Sequence, residues 1–208
     1  MASSTKNNLL ILTGPQGSGN HMWSKIFSTY DHVHGWKMKD YWEGHHKEPF
    51  SHWWDNPKKI HDTGHEYNFT SISCPYYRDR EPQIPKYKEF IFRADKIYNV
   101  KIAVIGRDNT ILKEQQERVR GEHTFPTAEK ELQYIFDWIG LMNVHFLSTE
   151  LFFLYGKNYL HYISDILKFP IDVTKVQSMS DTNTKYIRTG LQEQPLDKDV
   201  KRVSLRES

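Results

Sequence analysis

Cysteine is nearly absent: Cys74 is the single thiol in 208 residues, so the chain can form no internal disulfide and build no thiolate zinc cluster. A reducing compartment suits that usage. No apolar run approaches the roughly 20 residues that a membrane span needs, and the opening stretch Met1 to Asn8 is polar and passes straight into an apolar segment. Neither a membrane anchor nor a signal peptide is expected. Excess charge of one sign is missing as well. The 28 Lys and Arg against 26 Asp and Glu leave a net charge of +2, too little to hold nucleic acid by the overall field, though a local basic pocket is compatible with it. Repeats and low-complexity tracts are absent. What remains is an ordinary globular composition, 38% hydrophobic and 14% aromatic, which can bury enough apolar surface to offset chain entropy. The expectation is one soluble, cytoplasmic domain over residues 1–208, with residues 1–7 and 192–208 as mobile tails and neither nucleic acid nor membrane as partner.

Strand and helix patterns alternate along the chain. The run from Asn8 to Thr13 is short, β-branched and apolar on both faces, as a buried parallel strand is. It ends in Gly14-Pro15-Gln16-Gly17-Ser18-Gly19, after which Asn20 starts a helix carrying Trp23, Ile26, Phe27 and Tyr30 at helical spacing. Residues 31–66 have no clean period and read as irregular surface segments and short helices. Phe69 to Ser73 reads as a second strand, and Pro85 opens a helix through Tyr87, Phe90, Ile91, Ala94 and Tyr98. Val100 to Ile105 is a third strand, ending at Gly106-Arg107-Asp108, with a helix over roughly 110–120. Thr127 is placed to cap a long helix striped by Leu132, Ile135, Phe136 and Ile139, and Val144 to Leu147 is a further strand. A last helix, with Leu160, Ile163 and Leu167 on one face, is stopped by Pro170. Such alternation defines an α/β domain with a mainly parallel sheet flanked by helices.

A glycine loop between a buried strand and a helix aims backbone N–H groups at the helix's positive end, which favours a phosphate or a sulfate. In the nucleotide-hydrolase frame G-x-x-x-x-G-K-[ST], Gly14 and Gly19 fit, but Asn20 stands at the lysine position and His21 at the Mg²⁺-ligand position. Ordinary NTP chemistry is disfavoured, while backbone anion binding is untouched.

Ser18-Gly19-Asn20-His21-Met22-Trp23 resembles the Ser-Gly-Asn-Thr-Trp or Ser-Gly-Thr-Thr-Trp loop of sulfotransferases that use 3′-phosphoadenosine 5′-phosphosulfate (PAPS). Three further segments follow in that family's order. The strand ending in Arg107-Asp108-Asn109 is similar to its strand ending in Arg-Asp-Pro. Phe146 to Leu151, with the helix closing at Leu167-Lys168-Phe169-Pro170, is similar to its Tyr-Glu-Asp-Leu segment and Phe-Leu-Gly-Leu-Pro helix end. Lys185 to Gly190 is similar to its Arg-Lys-Gly stretch. The resemblance implies a P-loop sulfotransferase-like fold and a cofactor, PAPS or its product adenosine 3′,5′-bisphosphate (PAP). Gln16, Gly17, Ser18, Gly19, Asn20 and His21 would cradle the 5′ end, and Trp23 would offer a face to the purine. Arg107, Gln115, Arg188, Thr189 and Gly190 would hold the 3′-phosphate.

Departures accompany the likeness. Gly17 stands where the family has lysine or arginine, Gln115 where it has a serine, and Met22 where it has the tryptophan. Ser73-Cys74-Pro75-Tyr76 replaces a Lys-Thr-Pro or His-Leu-Pro. Binding is therefore better supported than turnover. In carbohydrate and tyrosyl-protein members the base is a glutamate after the first helix, which here implies Glu48, with His46 and Glu43 behind it. A solvated carboxylate beside Lys47 is the plainer reading of Glu48. His61 and His65 have the spacing of two metal ligands on a helix, but Gly64 opposes that helix and a third ligand is lacking, so no metal is expected. Cys74 reads as a small buried side chain. Three functions stay open: sulfuryl transfer to a small-molecule or carbohydrate hydroxyl or amine, catalytically weak binding of PAP or another anion, and a kinase with an aberrant loop.

Overall fold

The structure is a computed structural model in which residues 6–36, 48–78, 81–139 and 144–176 are described. Five strands form the main sheet in the order β2-β3-β1-β6-β7. They are β1 (Asn8–Pro15), β2 (Val33–His34), β3 (Tyr67–Cys74), β6 (Asn99–Gly106) and β7 (Val144–Ser148). Every pair within this sheet is parallel. A separate antiparallel hairpin joins β4 (Tyr76–Arg78) to β5 (Glu81–Gln83).

The central strand β1 shows why the sheet needs cover on both faces. Leu9 and Ile11 point to one side and Leu10 and Leu12 to the other, and all four are buried. The first side is closed by α2 (Ser51–Asp55), α3 (Tyr87–Ala94) and α5 (Phe125–Ile139), through Trp53, Trp54, Phe90, Ile91, Leu132 and Ile135. The second is closed by α1 (Asn20–Phe27), α6 (Thr149–Tyr155) and α7 (Lys157–Leu167), through Trp23, Phe27, Phe152, Leu160 and Ile163. The remaining helix, α4 (Asn109–Arg120), follows β6 and is capped by Asp108, whose carboxylate accepts from the Thr110 and Ile111 N–H groups at 2.9 and 3.1 Å. The α/β class and the parallel sheet expected from the sequence are those of the structure.

Three local expectations need correction. Residues 31–66 are not simply a surface segment: Val33, Trp36, Phe50, Trp53 and Trp54 are buried, and Trp54 stacks on Phe90 with ring centroids 3.8 Å apart. A run without period still enters a core when bulky aromatics fill the gap between a helix layer and a sheet edge. The long helix α5 begins at Phe125, ahead of Thr127, because the Gln116 side chain accepts from the Thr124 and Phe125 N–H groups and starts it earlier. Lys6 and Asn7 do not belong to a mobile tail. The Asn7 carbonyl accepts from Asn99 N–H at 2.8 Å, and its side chain donates to Asp62 at 3.0 Å. His61 and His65 lie outside any helix, as Gly64 implies, and His65 stacks on His34 at 4.2 Å.

Trp54 also donates its indole N–H to Thr70 at 3.0 Å, so it serves as packing and as a polar anchor for β3. Trp54→Ala is expected to lower unfolding free energy by about 3–5 kcal/mol, the usual cost of emptying a buried aromatic site, as measured by urea denaturation.

Candidate functional site

The chain runs outward from β1 to one side of the sheet and later returns to place β6 on the other side. The crevice at the carboxyl ends of such diverging strands is where open α/β sheets take ligands. Four segments meet there: the Gly14–Gly19 loop after β1, Ser73 near the end of β3, Arg107 after β6, and Thr149 after β7. Gly14 is required for close approach, since a Cβ on it would stand 2.8 Å from Ser18 Oγ and 2.9 Å from the Ile105 carbonyl.

Three successive loop carbonyls are held by side chains from elsewhere in the chain. Gln116 Nε2 donates to Gln16 O at 2.6 Å, Arg107 donates to Gly17 O, and Thr149 Oγ1 donates to Ser18 O at 2.8 Å. In a trans peptide the N–H lies opposite the carbonyl, so these bonds set the direction of the N–H groups of Gly17, Ser18 and Gly19 as well. The Ser18 N–H goes to Pro15 O at 3.1 Å. Gln16, Ser18 and Asn20 are all buried, yet Gln16 Oε1, Ser18 Oγ and Asn20 Oδ1 have no hydrogen-bond partner among the described residues. Leaving such a group unpaired costs about 1–3 kcal/mol, so three in one loop at a helix N-terminus favour a polar occupant there. A hydroxyl and amide groups, which can present either oxygen or NH₂, suit the oxygens of a phosphate or sulfate.

The candidates from the sequence fall into three groups. Gln16, Gly17, Ser18, Gly19, Asn20, His21, Arg107 and Gln115 are brought together, with Gln115 accepting from the Arg107 guanidinium. His21 stacks against Trp36, and burial, aided by Lys25, lowers its pKa so that the neutral imidazole is favoured. Trp23 is a correction. It is 0% exposed, packed among Phe27, Phe152 and Tyr159, with its indole N–H on Thr149 at 3.4 Å, so no face is open to a purine. Glu43, His46, Arg188, Thr189 and Gly190 lie outside the described residues.

Glu48 is not the solvated carboxylate of the plainer reading. It is 4% exposed, and its oxygens accept from Ser71 N–H at 3.1 Å, Ser71 Oγ at 2.8 Å and Thr70 Oγ1 at 3.3 Å. Ser71 Oγ accepts in turn from Ser24 Oγ at 3.0 Å, and one helical turn nearer the loop Asn20 Nδ2 donates to Ser73 Oγ at 2.7 Å. A polar seam thus runs between α1 and β3, from Glu48 toward the loop. Burial pushes the Glu48 carboxyl up to about 8, outweighing the three donors that favour its charged form. Cys74 is buried as expected, and burial raises its thiol to about 12, which removes it as a nucleophile near neutral pH. Among the described residues no group of three or more His, Cys, Asp or Glu side chains could hold a metal, and no helix is long and apolar enough to cross a membrane.

Gln116, Thr149, Ser24, Ser71 and Ser73 were not singled out from the sequence. Thr149 carried a usable signal, since it directly follows a strand, where side chains reach the sheet's ligand end. Gln116 carried none, because nothing local distinguishes it from Gln115.

No protein-family model matches the chain, and no curated protein does. Solved structures are informative. The sulfotransferase domain of the Synechococcus PCC 7002 olefin synthase resembles it with a TM-score of 0.52 and 11% identity, over 95% of this chain and 87% of that one. A mouse sulfotransferase, SULT7A1, complexed with PAP, is similar at TM-score 0.43 and 13% identity, over 88% of this chain and 64% of that one. A sulfotransferase from Alicyclobacillus acidocaldarius is similar at TM-score 0.43 and 13% identity, over 90% and 92%. The chain thus spans less than two thirds of the mouse structure. At these identities the likeness shows the fold, and the fold is sulfotransferase-like.

The raised carboxyl has a thermodynamic signature. A carboxyl that holds its proton more tightly when folded contributes its full stability below its unfolded pKa near 4.5, and loses it as pH rises toward about 8. Unfolding free energy of the wild type relative to Glu48→Gln is therefore expected to fall between pH 5 and pH 8, by up to about 1.4 kcal/mol per pH unit. Parallel denaturation series of the two proteins check this.

Proposed function

We propose that the protein transfers a sulfuryl group from PAPS to a hydroxyl or amine acceptor. One observation supports this most: a glycine loop whose carbonyls are tied back, while three buried polar atoms at a helix N-terminus, Gln16 Oε1, Ser18 Oγ and Asn20 Oδ1, lack partners among the described residues. The sulfotransferase-like fold adds to it. The residues fit the cofactor. Gly17, Ser18, Gly19 and Asn20 suit its 5′ end, and Arg107 with Gln115 brings a guanidinium to the same crevice, joined in this proposal by Arg188, Thr189 and Gly190. Bound PAPS supplies an activated sulfuryl group, and PAP leaves when the acceptor oxygen or nitrogen has formed its bond to sulfur.

The acceptor's proton needs a destination, and Glu48 is the proposed one, with His46 behind it. Because Glu48 and Ser71 are both buried, the proposed route for the proton is the hydroxyl seam, in which Ser24 donates to Ser71 and Ser71 donates to Glu48 Oε1. A carboxyl titrating near 8 is matched to accepting a proton close to neutral pH.

Calorimetry with PAP, AMP and ATP plus Mg²⁺ tests the cofactor. PAP is expected to bind most tightly, because the site reads two anionic ends. Equal or tighter binding of ATP with Mg²⁺ would replace this reading with a kinase. A screen of sugars, phenols and amines with labelled PAPS tests turnover, and PAP binding with no transfer to any acceptor would favour a binding protein. With an acceptor in hand, Glu48→Gln is expected to retain PAP affinity while transfer falls by ~10²–10⁴, and to lose a rise in rate centred near pH 8. Unchanged transfer would exclude Glu48 as the proton acceptor.

A further inference from the structure

The loop Gly14–Gly19 carries no cationic side chain. Gly17 has φ +82°, a backbone angle that side-chain-bearing residues adopt only under strain, and a Cβ on it would stand 3.2 Å from Gln115 Cδ and 3.4 Å from Gln115 Oε1. A side chain at position 17 would therefore be strained and would crowd the end of Gln115. That same Gln115 Oε1 accepts from Arg107, and the same guanidinium nitrogen donates to the Gly17 carbonyl. Gly17 and Gln115 are therefore packed against each other beneath a guanidinium that touches both.

Position matters here as much as charge. Asp108 caps α4 directly after Arg107, while its N–H donates to Glu150 at 3.1 Å, so the backbone directly after Arg107 is held by two contacts. The side chain is half-buried, where a charge acts more strongly than it does in open water. It also covers the Gly17 carbonyl, whose partial negative charge would otherwise oppose an anion held by the neighbouring N–H groups.

From this geometry we infer that Arg107 is the cation of the loop: held on the Gly17 carbonyl, it acts across space on the phosphate at the 5′ end of the nucleotide. The inference rests on the PAPS reading and differs from it in assigning Arg107 to the 5′ end. Arg107 is thus a binding and positioning residue for the end of the cofactor that carries the transferring group.

Three ligands separate the ends: AMP carries only the 5′-phosphate, adenosine 3′-monophosphate only the 3′-phosphate, and PAP both. Calorimetry of the full chain is expected to show Arg107→Ala weakening AMP by about tenfold or more, as for a lost positive charge beside the bound anion in a half-buried setting, with adenosine 3′-monophosphate changed by less than about twofold. Arg107→Lys, which keeps the charge, should recover much of the AMP affinity. Loss confined to adenosine 3′-monophosphate and PAP would overturn the inference and leave the PAPS reading standing. So would an Arg107→Lys protein that melts normally yet binds AMP no better than Arg107→Ala. A wild type that binds none of the three overturns the PAPS reading, and the inference with it.

Discussion

Everything at the ligand end of the sheet depends on three hydrogen bonds to consecutive carbonyls. Gln16, Gly17 and Ser18 face Gln116, Arg107 and Thr149, which come from the segments after β6 and β7. A glycine loop left to itself samples many conformations, because glycine loses more freedom on ordering than any other residue. Tying the carbonyls converts that freedom into one direction for the opposing N–H groups. The tie reaches further than the loop. Gln116 also accepts from the first N–H groups of α5, and Thr149 also accepts from the indole of Trp23. The cradle, the start of α5 and the core beneath α1 are thus parts of one hydrogen-bonded assembly.

A second constraint lies at the other edge. Strand β2 pairs with β3 only at Val33 with Tyr67 and His34 with Asn68. Further along β3, the Ser71 N–H is taken by a carboxyl from Glu48. A buried backbone donor must find an acceptor, and a side chain serves where no strand residue pairs with it. Choosing a carboxyl for this is costly in a buried setting, which is why its proton affinity rises. The seam of Ser71, Ser24, Asn20 and Ser73 shows that the cost extends beyond one residue, since an apolar contact between α1 and β3 would have been simpler to pack.

Much of this architecture was legible in the residues, and the limits have physical causes. The strands around Leu10 and Ile102 are apolar on both faces, and only a sheet covered on both sides demands that. Gly14, Gly17 and Gly19 between a strand and a helix marked the loop, and Arg107 stood at a strand end. Trp23 misled because spacing assigns a helix face without saying what covers it, and the covering partners Phe152 and Tyr159 lie more than a hundred residues away. Trp53 and Trp54 misled in the opposite direction: a five-residue helix is too short to display a period, although both side chains are in the core. Glu48 resisted reading because its surroundings are supplied by β3, not by its neighbours in the chain.

The contact between Gly17 and Gln115 bears on how this site can change over generations. A lysine at position 17 would crowd the end of Gln115 and would have to adopt a backbone angle that suits glycine. A smaller residue at position 115 would widen that space, and would take from Arg107 one of its acceptors. Neighbours that share a partner do not vary independently. The residue at each of the two positions thus limits the replacements open to the other, with Arg107 as the group that feels a change at either.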